Sequence, residues 1–302
     1  MKVCIYHGGC TDGVAAAWVV WRYDKEFVFH PGVYNQEPPW ELIDKAESLL
    51  LVDFSYRLSI MEEIVRRAPG MVTVLDHHAS AQEQLGDFVG TRCAGVINMD
   101  HCGALLAWVW FFSHEKAPRL LVEIDKQDRW LEDRDADLIR ALRSYPHAPI
   151  GKSWILRGVW DEFMGTWDKL MNTQNLSCLK DDGAVISRYY NQRLEDLKKL
   201  QTWFWFDGLD RPVCLPAVNA PYAFASDLAG WLSETYYGTV GLCWYVGADG
   251  NAHFSARSRG NCSPNARLVA EFFGGGGHDN AAGFRIPMDE AAKLLYVENE
   301  DE

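Results

Sequence analysis

The chain has 302 residues, 48% apolar and 24% charged, with a formal net charge of −13. That length suits one large domain or two ordinary ones, and the composition is globular, with no disordered or collagen-like bias. A grip on long nucleic acid is not expected from so acidic a chain, because it depends on Lys and Arg neutralising phosphates. A small phosphorylated ligand needs only a local field, which bound metal ions supply.

The first residues, Lys2 to Tyr6, read as a strand and not as a signal peptide. The longest apolar run, Ala104 to Phe112, is far shorter than the roughly 20 residues needed to span a bilayer. The eight cysteines are scattered and form no C-x-x-C pair, so neither a zinc ribbon nor a disulfide framework is expected. A soluble cytoplasmic protein fits these features.

After the first strand comes the turn His7-Gly8-Gly9-Cys10-Thr11-Asp12-Gly13, then an Ala-rich helical stretch from Val14 to Trp21. An ordinary tight turn accounts for the glycines, and a helix N-cap accounts for Asp12. Pro38-Pro39 marks a loop before a short helix from Trp40. The run Leu49 to Val52 ends in Asp53-Phe54-Ser55, a strand delivering an acid at its end. Ser59 and Glu62 have the spacing of a capping box for a helix to Arg67, which Pro69-Gly70 stops.

The run Met71 to Leu75 then reads as a buried strand emptying into Asp76-His77-His78. A cap and two surface histidines would explain that triplet alone. Strand and helix alternate throughout this half, which predicts a parallel, doubly wound sheet whose ligands bind at the carboxyl ends of the strands. Gly95 to Asn98 is a further short strand, Cys102-Gly103-Ala104 opens a very apolar helix, and a helix from about Leu120 leads into Asp125-Lys126-Gln127-Asp128. There a solvated helix end competes with a functional role.

Residues from about 151 to 205 are expected to be helical, with a possible hinge at Lys180-Asp181-Asp182-Gly183. The chain then turns strand-rich: Val213–Val218, Gly241–Val246 and His253–Ala256, with a helix from about Ser226 to Leu232 and a hairpin turn at Ala248 to Asn251. A helix, Asn265 to Phe273, precedes four consecutive glycines, Gly274 to Gly277, and His278. Each glycine loses more backbone freedom on folding than any other residue, and close approach of backbone N–H groups to an anion is the usual compensation. Glu298 to Glu302 is an acidic tail, expected to be disordered.

Three strands thus end in His7 to Asp12, in Asp53 and in Asp76 to His78, and a helix ends at Asp125. Carboxylates and imidazoles at one sheet edge suit Mn²⁺ or a similar ion that accepts mixed oxygen and nitrogen ligands. Two such ions activate water and stabilise in-line displacement at phosphorus.

With these motifs in this order, over roughly residues 2 to 286, the chain resembles the DHH phosphoesterase superfamily, in its branch with a DHH-associated C-terminal domain. Asp76-His77-His78 is the name-giving triplet, His7-x4-Asp12-Gly13 matches the first motif, Val52 to Ser55 the second and Asp125 the fourth. Ser255-Ala256-Arg257-Ser258 and the glycine run with His278 match the substrate-binding motifs. The resemblance implies an α/β fold: a doubly wound parallel-sheet DHH domain (1–180), a helical linker (181–207), a smaller α/β substrate-binding domain (208–290) and an acidic tail (291–302), with the active site in the interdomain cleft.

It further implies that His7, Asp12, Asp53, His77 and Asp125 bind metal, with Asp53 bridging two Mn²⁺ ions and Mg²⁺ or Co²⁺ as alternatives. Asp76 would orient an imidazole, and His78 would face the scissile phosphate. Arg257, Ser258, Gly275, Gly276, Gly277 and His278 would hold the substrate, Arg through its bidentate fork. Two points depart from the pattern. Where many members carry an aspartate two residues before the one matched by Asp12, this chain has Cys10, a softer ligand than Mn²⁺ prefers. Asp128 also competes with Asp125 for the fourth motif.

The expected activity is hydrolysis of short oligonucleotides or a nucleoside 3′,5′-bisphosphate by in-line attack of metal-bound hydroxide, as in oligoribonuclease-type and bisphosphate phosphatase-type members. Cyclic dinucleotides are the next substrate class, then single-stranded DNA cut processively. A non-catalytic nucleotide-binding module, with Cys10 marking a degraded site, is the rival from another class. The partner is a small phosphorylated nucleotide or short oligonucleotide. No membrane is involved, and an oligomer is compatible with the sequence.

Overall fold

The structure is a computed structural model that describes residues 1–34, 36–129, 131–145, 157–173, 175–209, 211–260 and 262–296. Trp130, the first residues of the stretch expected to be helical (151–156) and Glu298 to Glu302 lie outside the described residues, whereas residues 291–296 of the expected acidic tail (291–302) belong to a helix (Met288–Leu294) and a strand (Leu295–Tyr296). The chain divides into two compact units, Met1–Ser187 and the remainder from Arg188.

The first unit is a doubly wound α/β sheet. Five strands, β1 (Lys2–His7), β2 (Val28–Gly32), β3 (Ser48–Val52), β4 (Met71–Asp76) and β5 (Ala94–Ile97), pair in the order β2-β1-β3-β4-β5. Every pairing is parallel. The side-chain period of two sends alternate residues to opposite faces, and both faces are buried. Cys4, Tyr6, Leu50, Val52 and Leu75 join one core, while Val3, Ile5, Leu49, Leu51 and Val74 join the other.

The first of these cores is closed by α1 (Thr11–Tyr23), α5 (Gly103–Phe111), α6 (Arg119–Asp128), α7 (Ala136–Arg143) and α8 (Arg157–Met171). The second is closed by α2 (Trp40–Ile43), α3 (Leu58–Arg67) and α4 (Ala79–Leu85). Strand order reverses between β1 and β3, so the ligand-binding crevice of such a sheet falls at their carboxyl ends. His7 ends β1 and Asp53 follows β3.

Several local expectations change. Cys10, not Asp12, is the N-cap of α1, its Sγ accepting the Gly13 N–H at 3.1 Å. The capping box at Ser59 does not form, because α3 starts two residues earlier than that cap requires, at Leu58, with Arg57 as a cap that makes no side-chain bond. The hinge at Lys180–Gly183 is absent too. Helix α9 (Ser177–Lys198) runs straight through it, with Gly183 pressed against the Asp137 carbonyl, where an added Cβ would stand 1.9 Å away. The helical stretch, and with it the helical linker, ends at Lys198, since β6 (Gln201–Gly208) buries Phe204 and Phe206 and exposes Trp205 with the period of a strand.

The second unit is built on a seven-stranded sheet in the order β10-β11-β9-β8-β7-β6-β12. Its strands are β6, β7 (Arg211–Asn219), β8 (Gly241–Val246), β9 (Asn251–Arg257), β10 (Gly276–His278), β11 (Ala281–Pro287) and β12 (Leu295–Tyr296). Only β7 and β8 pair in parallel, across the helix α10 (Ala225–Thr235). One face packs Phe204, Phe206, Phe254 and Phe284 under α11 (Ala266–Phe272) and α12 (Met288–Leu294). The other packs Val218 and Cys243 under Leu228, Ala229 and Leu232 of α10.

Candidate metal centre

The carboxyl ends of β1, β3 and β4 deliver their polar side chains to one place. Asp53 is its hub. Its backbone has φ 55°, the left-handed region that costs a residue with a Cβ about 1 kcal/mol or more. The side chain, 2% exposed, reaches in two directions. Oδ2 lies 3.5 Å from His7 Nδ1 and accepts the Cys10 thiol at 3.4 Å, while Oδ1 lies 3.0 Å from His77 Nε2. Cys10 Sγ is itself 3.4 Å from His7 Nδ1.

Around His77 the remaining acids gather. Its Nε2 is 3.5 Å from Asp12 Oδ2 and 3.5 Å from Asp128 Oδ2. Asp12 is held on the first turn of α5, taking the Gly103 N–H at 2.8 Å and the Ala104 N–H at 2.9 Å. A carboxylate is well placed there, since the first turn of a helix leaves its N–H groups free and carries partial positive charge.

Asp76 is spent on orientation. Its Oδ1 accepts the His77 N–H at 2.7 Å and the His78 N–H at 3.2 Å, and faces His78 Nδ1 at 2.7 Å. Ser55 Oγ donates to its other oxygen at 2.6 Å. With Asp76 an acceptor, His78 carries its proton on Nδ1 and presents Nε2 away from the strand.

Asp125 stands apart from this gathering. It accepts the Cys102 N–H at 2.7 Å and the Arg129 guanidinium at 3.1 Å. Of the two acids weighed for the fourth motif, Asp128 reaches His77 and Asp125 braces the α5 N-terminus. They lie three residues apart on α6, close enough in sequence to compete but pointing to different partners. Gly103 and Tyr34 have no place in the sequence reading of the site. An added Cβ at Gly103 would stand 2.4 Å from Asp53 Cβ. Glycine at the first position of an otherwise apolar helix was the signal available. The Tyr34 ring lies edge-on to His7 at 5.3 Å and to His78 at 5.9 Å, and nothing in its sequence context marks it.

The electrostatics show ionisable groups crowded in a buried place. Burial, with Asp53 and Asp128 nearby, pushes Asp12 well above the usual carboxylate range. Burial also opposes charge on Asp53, but hydrogen bonding to His7 and His77 holds its pKa below that range. His77 suffers burial too, yet Asp53 and the other acids lift it to about 10. Burial and the carboxylates of Asp53 and Asp12 push the Cys10 thiol well up. Asp53 Oδ1 is buried, with His77 Nε2 3.0 Å away.

Three donor groups fit a metal ion among the described residues: His7, Cys10 and Asp53; Asp53, His77 and His78; and Asp12, His77 and Asp128. The mixed carboxylate and imidazole donors suit a first-row divalent ion. A cavity of about 520 Å³ lies alongside, its lining including Tyr34, Ser55, Tyr56, Arg57 and Gln84.

In the second unit, Arg257 at the end of β9 is partly buried. Its Nε and Nη2 donate to Ser226 Oγ at 3.3 and 3.2 Å, its Nη1 donates to the Ala256 carbonyl at 2.8 Å, and it forms no ion pair among the described residues. Ser258 is placed differently. Its buried hydroxyl donates to the Asp279 carbonyl at 2.7 Å and accepts the Ala266 N–H at 3.0 Å, which joins the loop after β9 to α11.

The glycine run is half strand. Gly276 to His278 form the exposed edge strand β10 against β11. Gly275 and Gly277 are required by packing, since added Cβ atoms would come within 2.2 Å of the Gly283 carbonyl and 2.5 Å of Ala282 Cα respectively. Gly276 faces open space.

The fold is like that of solved DHH-domain structures. The DHH domain of a protein described as a member of the s1p family of ribosomal proteins matches with a TM-score of 0.57 at 12% identity, over 97% of this chain and 84% of that one. A pGpG-specific phosphodiesterase, PggH, of Vibrio cholerae matches with a TM-score of 0.51 at 13% identity, over 97% of this chain and 96% of that one. At such identities the likeness is one of fold. By sequence, the uncharacterized protein R106 of Acanthamoeba polyphaga mimivirus is 25% identical over 300 residues, 94% of this chain and 67% of that protein. No family model matches the chain. Among the described residues no helix is long and apolar enough to cross a membrane.

Proposed function

We propose that the protein is a divalent-metal-dependent phosphoesterase that hydrolyses small nucleotide substrates, short oligonucleotides or a nucleoside 3′,5′-bisphosphate, with the first unit (Met1–Ser187) as the catalytic domain and the sheet and helices from Gln201 to Tyr296 as the substrate-binding one. The observation that carries this reading is the divided Asp53 carboxylate, one oxygen facing His7 and Cys10 and the other facing His77. Such a carboxylate suits a two-ion centre. The ions, Mn²⁺ being the best match to the donors around His77, supply an activated water and absorb charge developing at phosphorus.

His7 and Asp53 would hold one ion; His77, Asp12 and Asp128 would hold the other, with Asp53 shared between them. Asp125 keeps the α5 N-terminus, and so Asp12, in place. His78, locked through Nδ1 by Asp76, offers Nε2 to a phosphate oxygen and holds the proton the leaving oxygen takes up. Arg257, at the end of β9, and the exposed backbone of Gly276 are the phosphate holders of the second unit, with His278 beside them. Ser258 serves them by fixing the loop that follows Arg257. The cavity beside Tyr34 has the volume of a small-ligand site. That a protein of the same fold is named a pGpG-specific phosphodiesterase is consistent with a short-oligonucleotide substrate.

Purified protein with Mn²⁺ is expected to shorten a 5′-labelled dinucleotide, and Asp53→Ala to abolish this. Equal inertness of wild type and variant on dinucleotides, cyclic dinucleotides, bisphosphates and longer strands would sink the reading.

A further inference from the structure

The two sides of Asp53 differ in chemistry. Around His77 all donors are nitrogen or oxygen, three of them carboxylate oxygens. Around His7 one donor is sulfur. We propose that Cys10 is a metal ligand and makes the centre unequal: the His7–Cys10–Asp53 half takes a tetrahedral, thiolate-tolerant ion, Zn²⁺ or Co²⁺, and the half around His77 takes Mn²⁺ or Mg²⁺. This rests on the reading of the site as a metal centre and names the ions it selects.

The geometry is the first support. Cys10 Sγ, His7 Nδ1 and Asp53 Oδ2 form a nearly equilateral triangle, with edges of 3.4, 3.4 and 3.5 Å. Zinc binds sulfur at about 2.3 Å and nitrogen or oxygen at about 2.0–2.2 Å, so three ligands on one tetrahedral face stand roughly 3.4–3.6 Å apart. An octahedral ion at about 2.1 Å, such as Mg²⁺, draws neighbouring donors to about 3 Å. The triangle accommodates a tetrahedral ion; since Asp12 and Asp128 also stand 3.5 Å from His77, it is the sulfur donor and not the spacing that distinguishes this half.

Residue type is the second support. Cys10 also caps α1, a position where Ser, Thr, Asp or Asn does better than a thiol. Capping therefore does not account for a cysteine here, while a soft ligand does. The carboxylate completing the triangle is nearly fully buried. On binding, the ion replaces the thiol proton, which leaves to solvent, and a thiolate–metal bond replaces the S–H···O contact to Asp53.

The test needs no turnover. The full-length protein is loaded with Co²⁺ and its near-ultraviolet absorption is read for a sulfur-to-cobalt charge-transfer band. Wild type and Cys102→Ala, which lacks the other thiol at this sheet edge, are expected to show the band; Cys10→Ser and Cys10→Asp are expected to lose it. Circular dichroism confirms that each variant is folded.

Dialysis against Mn²⁺ in large excess over Zn²⁺, followed by metal analysis, should find one ion of each per wild-type chain. Cys10→Asp should shift the zinc-to-manganese ratio towards manganese by at least tenfold. A wild type that binds ions without the band, or a band that survives both Cys10 variants, overturns the assignment and leaves the metal centre standing. Wild type that binds no divalent ion overturns both.

Discussion

Gly103 and Asp53 touch as backbone and side chain can only when one of them is glycine: a Cβ added at Gly103 would lie 2.4 Å from Asp53 Cβ and 2.7 Å from its Oδ1. The first turn of α5 is thereby brought against the residue that joins the two donor groups, and its N–H groups hold Asp12 at the same time. Gly103→Ala must displace one or the other. The expected outcome is overpacking of about 1–3 kcal/mol in unfolding free energy, together with at least a tenfold loss of metal affinity by calorimetric titration. Unchanged affinity would show that Asp53 needs no such seat.

Asp125 and Asp128 should separate cleanly. Asp125→Ala removes the acceptor of the buried Cys102 N–H, and an unsatisfied buried donor costs about 1–3 kcal/mol. Its main effect is therefore expected in thermal or denaturant unfolding, with metal stoichiometry retained. Asp128→Ala removes a carboxylate 3.5 Å from His77, repelled by Asp53 and itself pushed up by burial. The metal-free protein should be as stable as wild type or more so, while affinity for the ion falls. The reverse pattern would return Asp125 to the ligand set.

Much of the first sheet was legible because its strands are buried on both faces and so read as unbroken apolar runs, as at Leu49 to Val52. Edge strand β2 was not. Val28-Phe29-His30-Pro31-Gly32 contains a proline, which an edge tolerates and a central strand does not.

At the centre, residue types on strand ends were legible, since chemistry restricts what sits at a switch point. Which of Asp125 and Asp128 faces inward was not, because three residues of helix carry no sign of the register. Nor does a one-dimensional reading reveal that Asp53 is held at positive φ, or that Ser258 has both its hydrogen-bonding functions spent on the loop. Those are properties of neighbours brought from afar.

Arg257 and Ser258 are adjacent, yet their substitutions should behave unlike one another. Arg257→Ala removes a partly buried guanidinium whose hydrogen bonds, among the described residues, go to a hydroxyl and a carbonyl. KM for a phosphorylated substrate is expected to rise at least tenfold, with kcat less affected. Ser258→Ala leaves the Ala266 N–H without its partner and should cost about 1–3 kcal/mol of stability. In that variant KM should change only as far as the loop loosens. If Ser258→Ala raises KM as much as Arg257→Ala without loss of stability, Ser258 touches substrate.

Asp76→Asn keeps the shape of the hub that fixes His77 and His78 but removes its charge. The Asn oxygen still accepts the two backbone N–H groups, and its amide faces Ser55 Oγ, which accepts in turn. The fold should persist. Partners of this kind typically contribute 10- to 100-fold in metal affinity or activity, so kcat is expected to fall within that range while the melting temperature moves little. A variant with wild-type kcat would show that the charge of Asp76 has no part in setting His78.

Removing or adding metal should register in stability as well as in turnover. Asp12, Asp53 and Asp128 crowd one imidazole; Asp12 is held above the usual carboxylate range by burial with Asp53 and Asp128 nearby, and Asp128 by burial with Asp53 and Asp125 nearby. An ion that binds only the folded state at 100 times its Kd stabilises by about 2.7 kcal/mol. For a unit of this size, about 2–4 °C per kcal/mol gives a rise of roughly 5–10 °C in the transition of the first unit. Chelator should reverse it. Asp53→Asn, which takes the shared charge away from both donor groups, should flatten the response to Mn²⁺ and to Zn²⁺ alike, whereas Cys10→Ser should flatten the response to Zn²⁺ alone. A melting temperature indifferent to every divalent ion, in a protein shown by circular dichroism to be folded, would mean that the gathered acids bind none.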